Sequence, residues 1–378
     1  MAYHDNIDFS SFSTLRKLQQ LPFFTILLIL LLSSVGFVMM YTAAKGNINP
    51  WLSKQLIHFA ISFPLMIIIA VVDIRFWYKI SYLAYFFTII LLVLIEIIGH
   101  TAKGGTRWIN LGFINLQPSE LMKICLVFAL ARYFHNINLT QLNKTYNLLI
   151  PLALTIVPFI MIVKQPDLGT AGILLLISGL IFFAAGVSIW KFAIVLTLAI
   201  TSLPFSWHFL HDYQKNRIIT FLNPENDPLG TGYNIIQSKI AIGSGGFWGK
   251  GLLKGTQSQL NFLPERQTDF IFTMISEELG FMKSFLILLL YTILILYSIF
   301  TAINCRNHYG RLVAIGITAL FFFHVFINTG MVMGLLPAVG VPLPLLSYGG
   351  TIMLTTLCGF GFILNVYIHS HTKIVGNN

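Results

Sequence analysis

Apolar residues in this chain come in long runs separated by short polar connections. Runs near 22–41, 56–72, 80–98, 119–134, 148–163, 169–186, 191–210, 285–303, 312–334 and 348–368 each approach the roughly 20 residues that a helix needs to cross the hydrocarbon of a bilayer. The pattern predicts about ten membrane-crossing helices, and an even number puts both termini on one side. Residues 1–20 are polar, and the apolar run after them has no small-residue cleavage pattern, so it reads as a retained first span. Two connections are long: 99–118 and, above all, 211–284. Within the second, YNIIQSKIAIG (233–243) spaces Ile236 and Ile240 four apart between polar residues, which predicts a short amphipathic helix at the membrane interface. Further on, TDFIFTMISEELG (268–280) is compatible with a helix that aligns Asp269, Thr273 and Glu277 on one face, a polar stripe leading to the membrane surface.

Composition agrees with the runs. Hydrophobic residues make up 56% of the chain and charged ones 10%, whereas a water-covered surface needs about a quarter charged residues. The expected fold is therefore an all-α integral membrane protein, a single domain over 1–378 with a long extracytoplasmic loop. Arg16, Lys17, Arg75, Lys79, Arg132, Lys144, Lys191, Arg306, Arg311 and Lys373 fall on the side of the termini; the short loops opposite hold only Lys45, Lys54, Lys103, Arg107 and Lys164. Basic residues concentrate on the cytoplasmic side, so the termini are expected there. Trp51, Trp77, Trp108, Trp190, Trp207 and Trp248 sit at span ends or in loops, the headgroup level that indoles prefer. The net charge of +10 is scattered singly, which argues against nucleic acid and for anionic headgroups or a phosphorylated lipid. Cys125, Cys305 and Cys358 show no pairing or metal spacing and read as filler.

With thirteen acidic residues in the chain, those at membrane depth carry information, because a charge there is costly unless it meets a cavity or a partner. Glu120 and Lys123 stand three apart near the start of the fourth span, and Asp167 sits in KQPDLGT, a Pro- and Gly-marked break. Each reads equally as structural or as cavity-lining. Glu96 reads as a lone surface carboxylate, and His324 beside Asn328 as a packing residue with no metal-ligand partner at the right spacing. NFLPERQTDFIF (261–272) sets Asp269 three residues from Arg266 where the long loop re-enters the bilayer. A base and a cation together suit sugar transfer from a diphosphate donor: the base takes the proton of the attacking hydroxyl and the cation stabilises the departing diphosphate. With so good a leaving group one carboxylate suffices, unlike glycoside hydrolysis, which flanks the bond with two.

Four segments, KGGTRWINLGFINLQPSELMK (103–123), KQPDLGTA (164–171), 221–280 with GTQSQL and FLPERQTDFIF, and GVPLPLLSYGGT (340–351), resemble the SEDS proteins of bacterial shape, elongation, division and sporulation, and among them the elongation branch. The resemblance covers essentially the whole chain. It implies ten helices and a peptidoglycan glycosyltransferase that polymerises lipid II on the outer face of the inner membrane. It also implies a class B penicillin-binding protein as crosslinking partner. By the same comparison Asp269 matches the family's essential aspartate, Glu120, Lys123 and Asp167 match polar residues of its central cavity, and Trp108 matches a loop tryptophan. Arg107, Lys123, Arg217 and Arg266 are then the candidates for diphosphate contacts, and Glu277 a neighbour that would raise the Asp269 pKa. No dedicated metal-ligand set is present, although magnesium would suit Asp269 with diphosphate oxygens. A lipid II flippase and a scaffold for the crosslinking enzyme are the competing readings.

Overall fold

The computed structural model describes residues 14–98, 100–102, 105–110, 115–142, 144–209, 212–226, 231–260, 262–263 and 265–374. A short α1 (Thr14–Gln19) precedes α2 (Phe23–Ala43), α3 (Trp51–Val71) and α4 (Ile74–Ile98). Three short strands, β1 (His100–Ala102), β2 (Gly105–Asn110) and β3 (Asn115–Leu116), lead into α5 (Pro118–His135). Then come α6 (Leu139–Leu142), α7 (Leu149–Lys164), α8 (Leu168–Ala185) and α9 (Ile189–Phe209). The long connection holds α10 (Asp212–Leu222), α11 (Thr231–Ser244) and α12 (Thr256–Gln259), and the chain ends with α13 (Ile271–Asn304), α14 (His308–Val332) and α15 (Gly350–Ile368).

Ten of these helices fall on the ten apolar runs, and eight are long and apolar enough to cross a membrane by composition alone. The other two have visible reasons for falling short. Helix α5 carries Glu120, Lys123 and Arg132, and in α9 the apolar stretch among the described residues is Ile189–Ser202. Nearly every side chain of that stretch is exposed, so no other described part of the chain covers it. The centre of the bundle is α14 with α15: α15 lies along α3, and α14 touches α13, α8, α5 and α15. At the far end of α15 Asn365, 1% exposed, donates to the carbonyls of Ile69, Ala70 and Val72 at the end of α3.

Three features differ from the sequence expectation. The connection at 99–118 contains a small antiparallel sheet in the order β1-β2-β3, with strands too short to register as a run. Helix α11 is present, but the face it turns to the protein is Ile235, Ser238 and Ala241, while Ile240 is exposed. Small residues set that choice: Ser238 Oγ donates to Val332 O at 2.8 Å, so its 2.6 Å contact with Thr273 Oγ1 is donated by the threonine. Finally, the helix expected over 268–280 and the span expected from about 285 run together as α13, with a break at Gly280 (φ 79, ψ −179) between them. A Cβ there would stand 2.2 Å from Gly249 N, so glycine is required both by the conformation and by the close approach of the 247–249 backbone.

Candidate active site

Four helices, α5, α8, α13 and α15, begin at one cavity of about 220 Å³. Gln117 and Glu120 reach it from the first turn of α5 and Asp167 and Thr170 from that of α8. Thr268 and Asp269 reach it just ahead of α13, and Thr351 and Ile352 from the start of α15. Arg107 and Trp108 of β2, His324 of α14 and residues 339–342 complete the walls. Among these lining residues Arg107 brings positive charge and Glu120, Asp167 and Asp269 bring carboxylates, and the helix starts add partial positive charge.

Asp167 caps α8. Its carboxylate accepts from Thr170 N at 3.2 Å, Thr170 Oγ1 at 3.0 Å and Gln117 Nε2 at 3.1 Å, and stands 3.9 Å from Arg107 Nη1. Arg107 donates Nε to Gln165 O at 2.9 Å and Nη2 to Pro166 O. Strand β2, which presents Trp108, is thereby tied to the α7–α8 turn. Asp167 is 7% exposed, and its bonds account for that burial.

Glu120 and Lys123 pair at 2.7 Å, one helical turn apart, and Lys123 Nζ also stands 2.7 Å from His324 Nε2. An ammonium only donates, so Nε2 is the accepting nitrogen and the imidazole proton sits on Nδ1, facing Pro342 O at 3.4 Å. Glu120 and His324 line the cavity, whereas Lys123, 1% exposed, lies behind them. Its charge reaches the cavity through its partners. His324, read from sequence as packing, thus belongs to the site; its lysine lies 201 residues away in the chain.

The 340–351 loop faces Asp269. An added Cβ at Gly340 (φ 72) would lie 3.5 Å from Asp269 Oδ2, so this wall of the cavity is kept open by a glycine. Tyr348 lines the same cavity, and burial pushes its phenol above its ordinary range.

Two expected contacts lie elsewhere. Arg266 is 6% exposed and turned from the cavity: it donates to Ser258 O and to Ala43 O at 2.9 Å, with its guanidinium 5.8 Å from the Trp51 ring centre. Burial pulls its pKa below the usual arginine range, against an opposing pull from Glu278. Glu277, expected on a stripe with Asp269, is buried in a clamp. It accepts from Lys250 Nζ at 2.9 Å, Thr256 Oγ1 at 3.2 Å, Gln257 N at 2.9 Å and Ser258 N at 3.1 Å. The stripe fails because Asp269 precedes the helix, so a spacing of eight residues no longer means a shared face. The side chain of Arg217 lies outside the described residues. Among the described residues no three His, Cys, Asp or Glu side chains are grouped to hold a metal ion.

The fold defines a multi-pass helical membrane protein with a polar cavity where several of its helices begin. A family model described as a cell cycle protein, FtsW/RodA/SpoVE, matches residues 19–372. Peptidoglycan glycosyltransferase MrdB of Escherichia coli K12 is 41% identical over 357 residues, 94% of this chain and 95% of that protein. Stage V sporulation protein E of Bacillus subtilis is 36% identical over 358 residues, 91% and 96% of the two chains. Among solved structures, a chain of a peptidoglycan synthase complex described as coordinating polymerization and crosslinking superposes with a TM-score of 0.81 at 30% identity, covering 93% of this chain and 99% of that one. The rod shape determining protein RodA of Thermus thermophilus superposes with a TM-score of 0.70 at 25% identity, covering 92% and 96%. The chain belongs to the FtsW/RodA/SpoVE family.

Proposed function

We propose that this chain is a peptidoglycan glycosyltransferase of the inner membrane that polymerises lipid II during cell elongation, with Asp269 as general base. The carboxylate of Asp269 takes the proton of the acceptor N-acetylglucosamine 4-hydroxyl as that oxygen attacks the anomeric carbon of the donor N-acetylmuramic acid. The bond from that carbon to the lipid diphosphate breaks, and the diphosphate leaves with the electron pair. Arg107 and the helix starts receive its charge. The observation that carries this reading is that Asp269 shares one cavity with Arg107, Glu120 and Asp167 at the starts of helices. Flipping a headgroup or recruiting a partner requires no carboxylate in that place.

The basic residues beside the termini support cytoplasmic termini, which put the cavity at the outer membrane surface. The crosslinking complex found among the structural relatives supports a class B penicillin-binding protein as partner. The test is polymerisation of fluorescent lipid II by purified protein with that partner. Wild type makes long glycan, while Asp269→Ala and Asp269→Asn make none although folded; equal polymer from either variant removes the base role. A divalent cation such as magnesium would find carboxylate and phosphate oxygens here once the lipid is bound. Turnover that survives chelation takes that ion out of the reaction.

A further inference from the structure

The peptide that carries Asp269 is gripped carbonyl by carbonyl. Tyr348 N donates to Gln267 O at 2.8 Å, Ser347 Oγ to Thr268 O at 2.6 Å, and Asn328 Nδ2 to Asp269 O at 2.8 Å. All three donors come from α14 and the loop that follows it. The amide of Asn328 also donates to Val341 O at 2.7 Å, next to the glycine that faces the Asp269 carboxylate. One amide therefore fixes both sides of the gap in which the carboxylate stands. Only the NH₂ end can donate to two carbonyls, so the orientation of this side chain is settled by its partners.

The clamp is itself held. Ser347 Oγ accepts from Leu343 N at 2.8 Å, and Gln55 of α3 brackets the same loop, donating to Ser347 O at 3.0 Å and accepting from Gly349 N at 3.1 Å. Asn328, Ser347 and Gln55 are 0%, 1% and 1% exposed, and none of them lines the cavity. They touch the backbone of the Asp269 turn and leave its carboxylate alone. Within the turn itself Thr268 N and Phe270 N donate to Glu265 O at 3.2 Å, and the cap residue of α13, Phe270, offers no side-chain bond to the helix start, so the clamp adds the tie to the rest of the bundle.

We propose that Asn328, Ser347 and Gln55 are positioning residues, which hold the Asp269 turn so that its carboxylate meets the acceptor hydroxyl; this rests on the reading of Asp269 as base. A base works only within hydrogen-bond reach, and a displacement of about 1 Å costs on the order of a hundredfold in rate.

The experiment measures initial rates of full-length protein with its crosslinking partner over a range of fluorescent lipid II, per folded molecule, with thermal unfolding followed in parallel. The comparator is Asn365→Ala, which removes an equally buried amide bonded to carbonyls at the other end of the bundle. Asn328→Ala and Ser347→Ala are expected to lower kcat roughly tenfold to a hundredfold with KM held within about twofold. Ser347→Thr, which keeps the hydroxyl, regains most of that rate. Asn365→Ala lowers the melting temperature and leaves kcat near wild type. The proposal is overturned if Asn328→Ala and Ser347→Ala keep the wild-type kcat, if KM rises in place of a fall in kcat, or if Asn365→Ala loses kcat equally. Should Asn328→Ala not fold, Ser347→Ala, a one-atom deletion, decides alone. Asp269→Asn in the same assay separates the two claims. Polymer from it removes the base itself, whereas a dead Asp269→Asn beside fully active clamp variants removes only the positioning.

Discussion

Two lysine–glutamate pairs of nearly equal length stand in different surroundings in this molecule. Lys123 and Glu120 meet at 2.7 Å and Lys250 and Glu277 at 2.9 Å. The first pair borders the cavity through Glu120 and His324, the two groups that its lysine bonds. The second is bonded to the loop around α12 and borders no part of the cavity. Residue type and separation alone do not tell a charge at a cavity from one enclosed by a loop. The space beside the pair does.

The comparison can be broken most directly at Lys123. Lys123→Ala leaves Glu120 charged and unpaired in a buried place, a loss of about 3–5 kcal/mol, and polymerisation should fall to background. A Lys123→Ala protein with normal turnover at limiting lipid II would put this pair in the same structural class as the other. Glu277→Ala removes the acceptor of two backbone N–H groups and one ammonium, and about 2–3 kcal/mol of stability should go with it. Its turnover per folded molecule should stay near wild type, and a selective loss of kcat would return Glu277 to the site. Gly340→Ala sharpens the contrast from the cavity side. A left-handed alanine costs about 1–2 kcal/mol, and a methyl beside the Asp269 carboxylate should lower kcat severalfold, read from initial rates. Lys250→Ala should show least, under about 1 kcal/mol in melting experiments, because the lysine is a quarter exposed and Glu277 keeps its backbone donors.

Much of this architecture was legible in the chain. The apolar runs located the long helices, since lipid imposes a length and a polarity that few other environments impose. Glu120 with Lys123, and Asp167 at a Pro- and Gly-marked break, declared themselves by the cost of charge at membrane depth. Asp269 was singled out by its place in a loop re-entering the bilayer. What stayed hidden depends on partners distant in sequence. His324 gains its role from a lysine 201 positions away, and Asn328 from carbonyls 59 and 13 positions away. Arg266 misled because three residues of separation placed it near Asp269 in the chain, while the turn between them sends the guanidinium toward Ala43 and Ser258. Glu277 misled for the complementary reason, a helical spacing extended past the helix start.

The break at Gly280 acts as a depth gauge. Below it, residues 281–304 form a leg of 24 residues, about 36 Å at 1.5 Å per residue, against a hydrocarbon thickness of about 30 Å. The nine helical residues above it, 271–279, are therefore not needed to cross the bilayer and serve to join the Asp269 turn at the cavity to the head of the crossing leg.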